Sequence, residues 1–353
     1  MMKHVDTLIR LLEEHGGPGF EEEVAKIVES AMRTYTSKIE RDTLGNLIAT
    51  VEGQSSGRRP RVLLSAHMDE IALMVSLIDK GGFLRVAQTG GFDPRTLVGQ
   101  EVVVHGKNKR WHGIIGSKPP HLQAPDEQKK AAPLEDLFID LAMPEERVRS
   151  EIRVGDRVTL HRSVMPLLHH HYSGKSLDNR TSVAVILECL EALKKYHHQA
   201  DVIAVASVQE EVGVRGATTV GYGQAPDVAI AIDVTFADMP GQASDFSYKI
   251  GKGPAIAKGP NIHPKVFQDL SEAAKANNID YQLELSQGPT GTDGRAFQIT
   301  REGIATGLVG IAIRYMHTSV ETGSYQDIVD CGKVLAEYIA QLTWERVEDY
   351  SCY

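Results

Sequence analysis

Cysteine is nearly absent: the chain of 353 residues has three, Cys189, Cys331 and Cys352. Three thiols cannot all pair, and their spacing matches no metal knuckle, so a disulfide-stapled fold is excluded and a reducing cytosol is expected. Long apolar runs are missing too. No stretch approaches the roughly 20 apolar residues of a membrane span, and Met1-Met-Lys-His-Val-Asp lacks the apolar centre of a secretory signal. The expectation is a cytoplasmic protein with no membrane partner. Basic charge is in deficit, 38 Lys and Arg against 47 Asp and Glu, and the net charge of -9 argues against a nucleic-acid partner. What is present fits a globular enzyme-sized protein, because 353 residues suffice for two domains with a real core.

The chain is organised around Arg61-Val-Leu-Leu-Ser-Ala-His67-Met-Asp69-Glu70. Val62 to Ala66 is too short an apolar run for a helix and reads as a strand buried on both faces of a parallel sheet. His67 then stands at the carboxyl end of that strand. In open α/β sheets the crevice beyond the strand ends is where ligands bind, so His67 and Asp69 are placed where chemistry is done. A satisfied loop histidine reads the same way in isolation; recurrence decides between them.

Before this strand, Leu8, Leu11 and Leu12, then Val24, Ile27, Val28 and Ala31, mark two amphipathic helices. Two strand-like pieces between Ile39 and Val51 flank Asp42-Thr-Leu-Gly45. After Glu70 the texture changes. Ile71 to Ile78, Phe83 to Val86, Glu101 to His105, Gly113 to Ile115, Leu137 to Leu141 and Arg157 to Leu160 are short β-like runs separated by turns such as Lys80-Gly-Gly and Val154-Gly-Asp-Arg. Only Pro144 to Arg149 suggests a helical turn. Such spacing predicts a small β-barrel-like domain over 71–163, inserted into an α/β domain made of 1–70 and 164–353. Within the insert, the polar segment His121 to Ala132 reads as an exposed, mobile loop.

Further along, Ser176-Leu-Asp178-Asn-Arg180 precedes the apolar positions Val183, Ile186, Leu187 and Leu190, so Asp178 lies at a helix start, where a cap is the plain alternative. Asp201 to Val208 is a buried strand ending in Gln209-Glu210-Glu211-Val-Gly213. Adjacent glutamates there repel each other unless a cation or a proton intervenes, or the loop is simply solvated. Val228 to Ile232 ends in Asp233, and Gly303 to Arg314 runs into Tyr315-Met316-His317. Pro264 to Asn277 and Ile328 to Leu342 read as helices, Tyr281 to Leu285 as a strand. The loop Gln287 to Gly294 carries small residues whose N–H groups can approach a substrate.

Four buried strands therefore end in ligand-capable residues, and Asp178 joins them. Were these strands neighbours, two imidazoles and several carboxylates would converge and need cations to offset their repulsion. That donor set suits zinc, cobalt or manganese rather than calcium. Two ions bridged by a carboxylate can activate one water and polarise a carbonyl.

Ala66-His67-Met-Asp69-Glu70, Leu177-Asp178-Asn-Arg180, Gln209-Glu210-Glu211-Val-Gly213, Ile232-Asp233-Val-Thr235 and Tyr315-Met-His317-Thr resemble the metal-site motifs of the tetrahedral aminopeptidase family, whose members include glutamyl and deblocking aminopeptidases and some proteins labelled endoglucanase. Gly113-Ile-Ile-Gly-Ser-Lys-Pro-Pro120 in the insert resembles the family as well. The resemblance implies an α/β fold with a mixed, mostly parallel sheet flanked by helices, and two divalent metal ions per subunit, zinc first. It implies His67 and Asp233 on one metal, Glu211 and His317 on the other, and Asp178 bridging. Glu210 would be the general base and Asp69 would hold the His67 ring. It implies removal of N-terminal residues from short peptides, and a homo-oligomer of dimers forming a tetrahedral dodecamer through the insert. An acyl-amino-acid deacylase is the competing enzyme reading; a glycosidase and an inert assembly component are disfavoured, the first because a carboxylate pair would not require His67 and His317.

Overall fold

The computed structural model describes residues 2–125, 127–242 and 247–350. Helices α1 (Val5–Glu13) and α2 (Glu22–Met32) bury the two expected stripes, Leu8, Leu11 and Leu12 on one and Val24, Ile27 and Val28 on the other. Strands β1 (Ile39–Arg41) and β2 (Leu47–Val51) form a hairpin. Its turn is held by Asp42 Oδ1, which accepts the N–H groups of Leu44, Gly45 and Asn46 at 2.9–3.0 Å. Strand β3 (Arg61–His67) follows and ends on His67.

The chain then leaves to build a separate closed barrel. It consists of β4 (Ala72–Ile78), β5 (Leu84–Thr89), β6 (Glu101–His105), β7 (Arg110–Gly116), β8 (Phe138–Asp140) and β9 (Arg157–Leu160), in the order β4-β5-β8-β7-β6-β9 with antiparallel neighbours. Closure leaves no unpaired strand edge. Leu73, Val75, Val102, Ile115, Ile139 and Val158 point inward and give the barrel a core of its own. The helical turn foreseen at Pro144 to Arg149 is a longer helix, α3 (Glu145–Glu151). His121 to Ala132 is exposed along most of its length, with Asp126 outside the described residues.

The return begins with β10 (Met165–Pro166) and β11 (His171–Gly174), then α4 (Leu177–Leu193), β12 (Asp201–Ser207), α5 (Arg215–Gln224) and β13 (Val228–Phe236). It continues through β14 (Ala255–Lys258), α6 (Pro264–Ala276), β15 (Gln282–Leu285), α7 (Gly294–Gln298), β16 (Ala305–Ile313), β17 (Glu321–Ser324), α8 (Tyr325–Gln341) and α9 (Trp344–Glu348). Eight strands form one mixed sheet in the order β1-β2-β12-β3-β13-β16-β14-β15. Its centre, β12-β3-β13-β16, is parallel throughout, so the four ligand-bearing strands are indeed neighbours. Val62, Leu64 and Ala66 of β3 face the core shared with α1, α4 and α8, while Leu63 faces Ala217, Val220 and Phe297 of α5 and α7. Cover on both faces is what turned the strand into an unbroken apolar run.

Four features were not read from sequence: α5, β14, α9 and the small antiparallel sheet β10-β11-β17. Strand β13 also runs on past Ile232, so Asp233 is an interior residue of the strand rather than its end. Cys189 and Cys331 are buried free thiols, and Cys352 lies outside the described residues. Among the described residues no helix is long and apolar enough to cross a membrane.

Candidate metal centre

At the carboxyl ends of the parallel strands the side chains of His67, Asp178, Glu210, Glu211, Asp233 and His317 meet around a cavity of about 340 Å³. Asp178 is the hinge of the arrangement. Its Oδ1 lies 3.2 Å from His67 Nε2 and its Oδ2 lies 3.2 Å from His317 Nε2. Asp233 Oδ1 stands 3.9 Å from His67 Nε2, and Glu211 Oε1 stands 3.4 Å from His317 Nε2. Two groups thus share Asp178: His67, Asp178 and Asp233, and Asp178, Glu211 and His317, the donor atoms within each group lying within 4.8 Å of one another. Glu210 belongs to neither group; its Oε2 points toward His67 Nε2 from 3.9 Å.

The electrostatics are those of a site built for cations. Burial, together with the charges of Asp233, Asp293 and Glu211, pushes Glu210 up to about 10 despite the opposing pull of His67. Burial likewise raises Glu211 and lifts Asp233 well above the usual carboxylate range. Burial would lower His317, yet its contacts with Asp178 and Glu211 carry it to about 11. His67 is raised for the same reason by Asp178 and Asp69. Asp178 alone moves down: burial would raise it, but the His317 and His67 hydrogen bonds win. Protons thus compensate carboxylates that a divalent ion would satisfy better. Glu211 Oε1 is buried and faces His317 without a hydrogen bond. An orphaned carboxylate oxygen beside imidazole nitrogens in an N/O donor set fits divalent ions of the zinc, cobalt and manganese type.

The supporting residues are as informative as the donors. Asp69, fully buried, accepts the N–H of Glu210 on Oδ1 and that of Glu211 on Oδ2, both at 3.1 Å. It therefore fixes the turn that presents both glutamates. The His67 ring faces this turn, its Nδ1 lying 3.1 Å from the Asp69 carbonyl oxygen and 3.4 Å from Oδ1 of the Asp69 carboxylate. Glu321, given no role from sequence, accepts the N–H of His317 at 2.7 Å and of Asp178 at 3.1 Å. One buried carboxylate thus ties together the main chains of two residues 139 positions apart in sequence, the difference between 317 and 178. Asp293, seen in sequence only as part of a small-residue loop, accepts from Ser65 and Ser207 at 2.7 and 2.6 Å beneath the cluster. Backbone strain gathers here too: Ser176, Gln209, Tyr315 and His317 all have positive φ, between 55 and 62°. The barrel reaches the site as well, for a Cβ on Gly91 would stand 3.2 Å from His317 Nδ1. A larger cavity, about 1040 Å³ beside α6, holds none of the cluster.

Residues 45–334 match the family model of the M42 glutamyl aminopeptidases, more than half of the chain. The chain belongs to that family. It is a metal-dependent aminopeptidase. Lysyl aminopeptidase of Pyrococcus furiosus is 36% identical over 342 residues, covering 96% of this chain and 97% of that protein. The TET aminopeptidase from a marine-sediment Thaumarchaeota archaeon superposes with a TM-score of 0.93 at 33% identity, covering 99% of each chain. The TET1 peptidase of Pyrococcus horikoshii superposes with a TM-score of 0.84 at 29% identity, covering 96% of this M42 chain and all of that one, and is described as able to assemble into a tetrahedron or a large octahedral shell.

Proposed function

We propose that this M42 protein removes N-terminal residues from short peptides at a dinuclear centre, His67 and Asp233 holding one divalent ion, Glu211 and His317 the other, and Asp178 both. The observation that carries this reading is the Asp178 carboxylate, whose two oxygens each face a different imidazole at 3.2 Å. Zinc is the first choice of ion. Bound there, a pair of such ions supplies Lewis acidity and lowers the pKa of water. The rest falls to the chain. Glu210 stands free of both donor groups, takes the proton from the attacking water and returns it to the leaving amine. Asp69 holds Glu210 at its main-chain nitrogen, and Glu321 holds His317 and Asp178 at theirs, so the proton-transfer geometry is set by buried carboxylates rather than by the loops.

A free α-amine is required on this reading, because the cluster's carboxylates attract an ammonium and an acetyl cap removes that charge and adds bulk. Aminoacyl anilides are expected to be hydrolysed by the metal-loaded protein and their N-acetyl counterparts to be inert. Efficient cleavage of the acetylated series would move the protein to acyl-amino-acid hydrolysis.

The protein also assembles with itself, and the barrel is the contact. It carries none of the donor residues, yet Gly91 and Gln100 touch the His317 to Ser319 loop, the latter by a 2.8 Å bond from Ser319 Oγ to Gln100 Oε1. A tetrahedral dodecamer built from such dimers would enclose the sites and admit only short or unfolded peptides. Light scattering on the metal-loaded protein tests this, and a mass near the 38.7 kDa of one chain would end the assembly reading.

A further inference from the structure

The two imidazoles of the cluster are held in different ways. His67 is backed by its own strand end, its Nδ1 facing the Asp69 turn. His317 has no such turn behind it. Among the described residues its ring meets hydrogen-bonding partners only at Nε2, toward Asp178 and Glu211. It is also the most open of the five donors, its side chain 34% exposed against at most 9% for the other four. Its main chain stands at φ 62°, a conformation that a residue with a Cβ keeps only where its surroundings impose it. Glu321 holds the main-chain nitrogen but leaves the ring unsupported.

What lies behind that ring is the barrel. The connection between β5 and β6, residues 90–100, passes so close that a Cβ on Gly91 would stand 3.2 Å from His317 Nδ1 and 3.5 Å from Cε1. The bare Gly91 main chain is therefore the backing of the ring, and a methyl group there would press on it. Farther along the same connection, Gln100 Oε1 accepts a hydrogen bond at 2.8 Å from Ser319 Oγ, two residues beyond His317. Ser319 is buried, so this bond is shielded from water. Gln100 is itself pinned three times: its Nε2 donates to the Thr96 carbonyl at 2.9 Å, its N–H to the Leu97 carbonyl at 3.1 Å, and its carbonyl accepts the Ile115 N–H at 2.9 Å. Leu97 and Ile115 belong to the barrel core. The acceptor offered to Ser319 thus moves only as the barrel moves.

We propose that Gly91 and Gln100 are positioning residues for His317, Gly91 backing the ring and Gln100 holding the loop that carries it. The barrel then completes a metal position to which it gives no donor. An imidazole supported from behind keeps Nε2 aimed at the ion, and loss of support around a ligand typically costs about 10- to 100-fold in metal affinity. The inference rests on the dinuclear reading above, and the test separates the two.

The full chain is stripped of metal and titrated with zinc against a chromophoric chelator, which gives the affinity of each ion in turn. Gly91→Ala and Gln100→Leu are each expected to weaken one ion by about 10- to 100-fold, the same ion that Glu211→Gln weakens, and to leave the other within about threefold. Ser319→Ala should match Gln100→Leu, and the double variant should lose little more, since both remove one bond. Ile139→Val, a methylene removed from the barrel core away from the connection, is the control: it should lower the thermal midpoint and leave both ions as they were. Unchanged affinity in both Gly91→Ala and Gln100→Leu overturns the proposal. So does a loss shared equally by the two ions, or a loss that Ile139→Val reproduces. Failure of the aminopeptidase reading appears separately, as absence of turnover with every aminoacyl anilide while both ions are bound.

Discussion

Replacing Glu210 by glutamine is expected to leave the metal content unchanged and to lower turnover by about 10²–10⁴-fold, the range for losing a general base. The expectation comes from the division of labour at the strand end. Glu211 lies with Asp178 and His317 in one donor group, whereas Glu210 lies in neither. Both main-chain nitrogens are held by the same Asp69 carboxylate, so a change of one side chain leaves the turn in place. Glutamine is isosteric and keeps an acceptor but cannot take a proton. Glu211→Gln should act in the opposite way, weakening one metal position while the second retains its ion. Metal analysis and turnover on both variants decide the matter. Near-normal turnover in Glu210→Gln would sink the assignment, and so would loss of a metal from that variant with full occupancy in Glu211→Gln.

The two glutamates also show where sequence reading stopped. Their position after a buried strand was legible because β12, like β3, is covered on both faces and so announces itself as an apolar run with an abrupt end. Which of the two is a donor was not legible, since adjacent residues share every local signal. Asp233 was legible as a residue but not as a strand interior, because the first polar side chain ended the apolar pattern while the backbone pairing ran on to Phe236. Glu321 was beyond reach for another reason. It acts over a long sequence separation, on the main chains of Asp178 and His317, and belongs to no periodic pattern. Helix α5 escaped because Gly216, Gly221 and Gly223 argue against a helix. Two of those glycines are there for close packing instead: a Cβ on Gly216 would meet Asn46 Oδ1 at 2.3 Å, and one on Gly221 would meet Phe297 at 2.8 Å.

Glu70→Gln is expected to destabilise the fold by about 3–5 kcal/mol, the cost of removing one partner from a buried ion network. Glu70 is 3% exposed and answers two buried cations, Lys175 and Arg180, which are 1% and 0% exposed. Lys175 Nζ lies 2.8 Å from Glu70 Oε2, and Arg180 Nη2 lies 3.2 Å from Oε1. Ser176 Oγ and Gly16 N donate to the same carboxylate. The partners titrate in a telling way. Burial would raise Glu70, but Lys175 and Arg180 hold it at about 2, whereas burial drags Lys175 down to about 8 in spite of Glu70. One carboxylate is serving two cations, so neutralising it leaves both without a counter-charge in a dry interior. The site suffers as well, because Arg180 Nε donates to the Met68 carbonyl at 3.0 Å and thereby anchors the turn between His67 and Asp69. The pH dependence has a definite sign. Glu70 titrates lower in the folded chain than its ordinary value of 4.5, so its contribution is present in full above about pH 4.5 and fades as the pH falls toward 2. Denaturation midpoints of the two proteins, at one protomer concentration and one metal concentration, should therefore lie far apart at pH 7 and converge in acid. A difference below about 1 kcal/mol at pH 7 would mean that water reaches the two cations and that the network is not the dry one described.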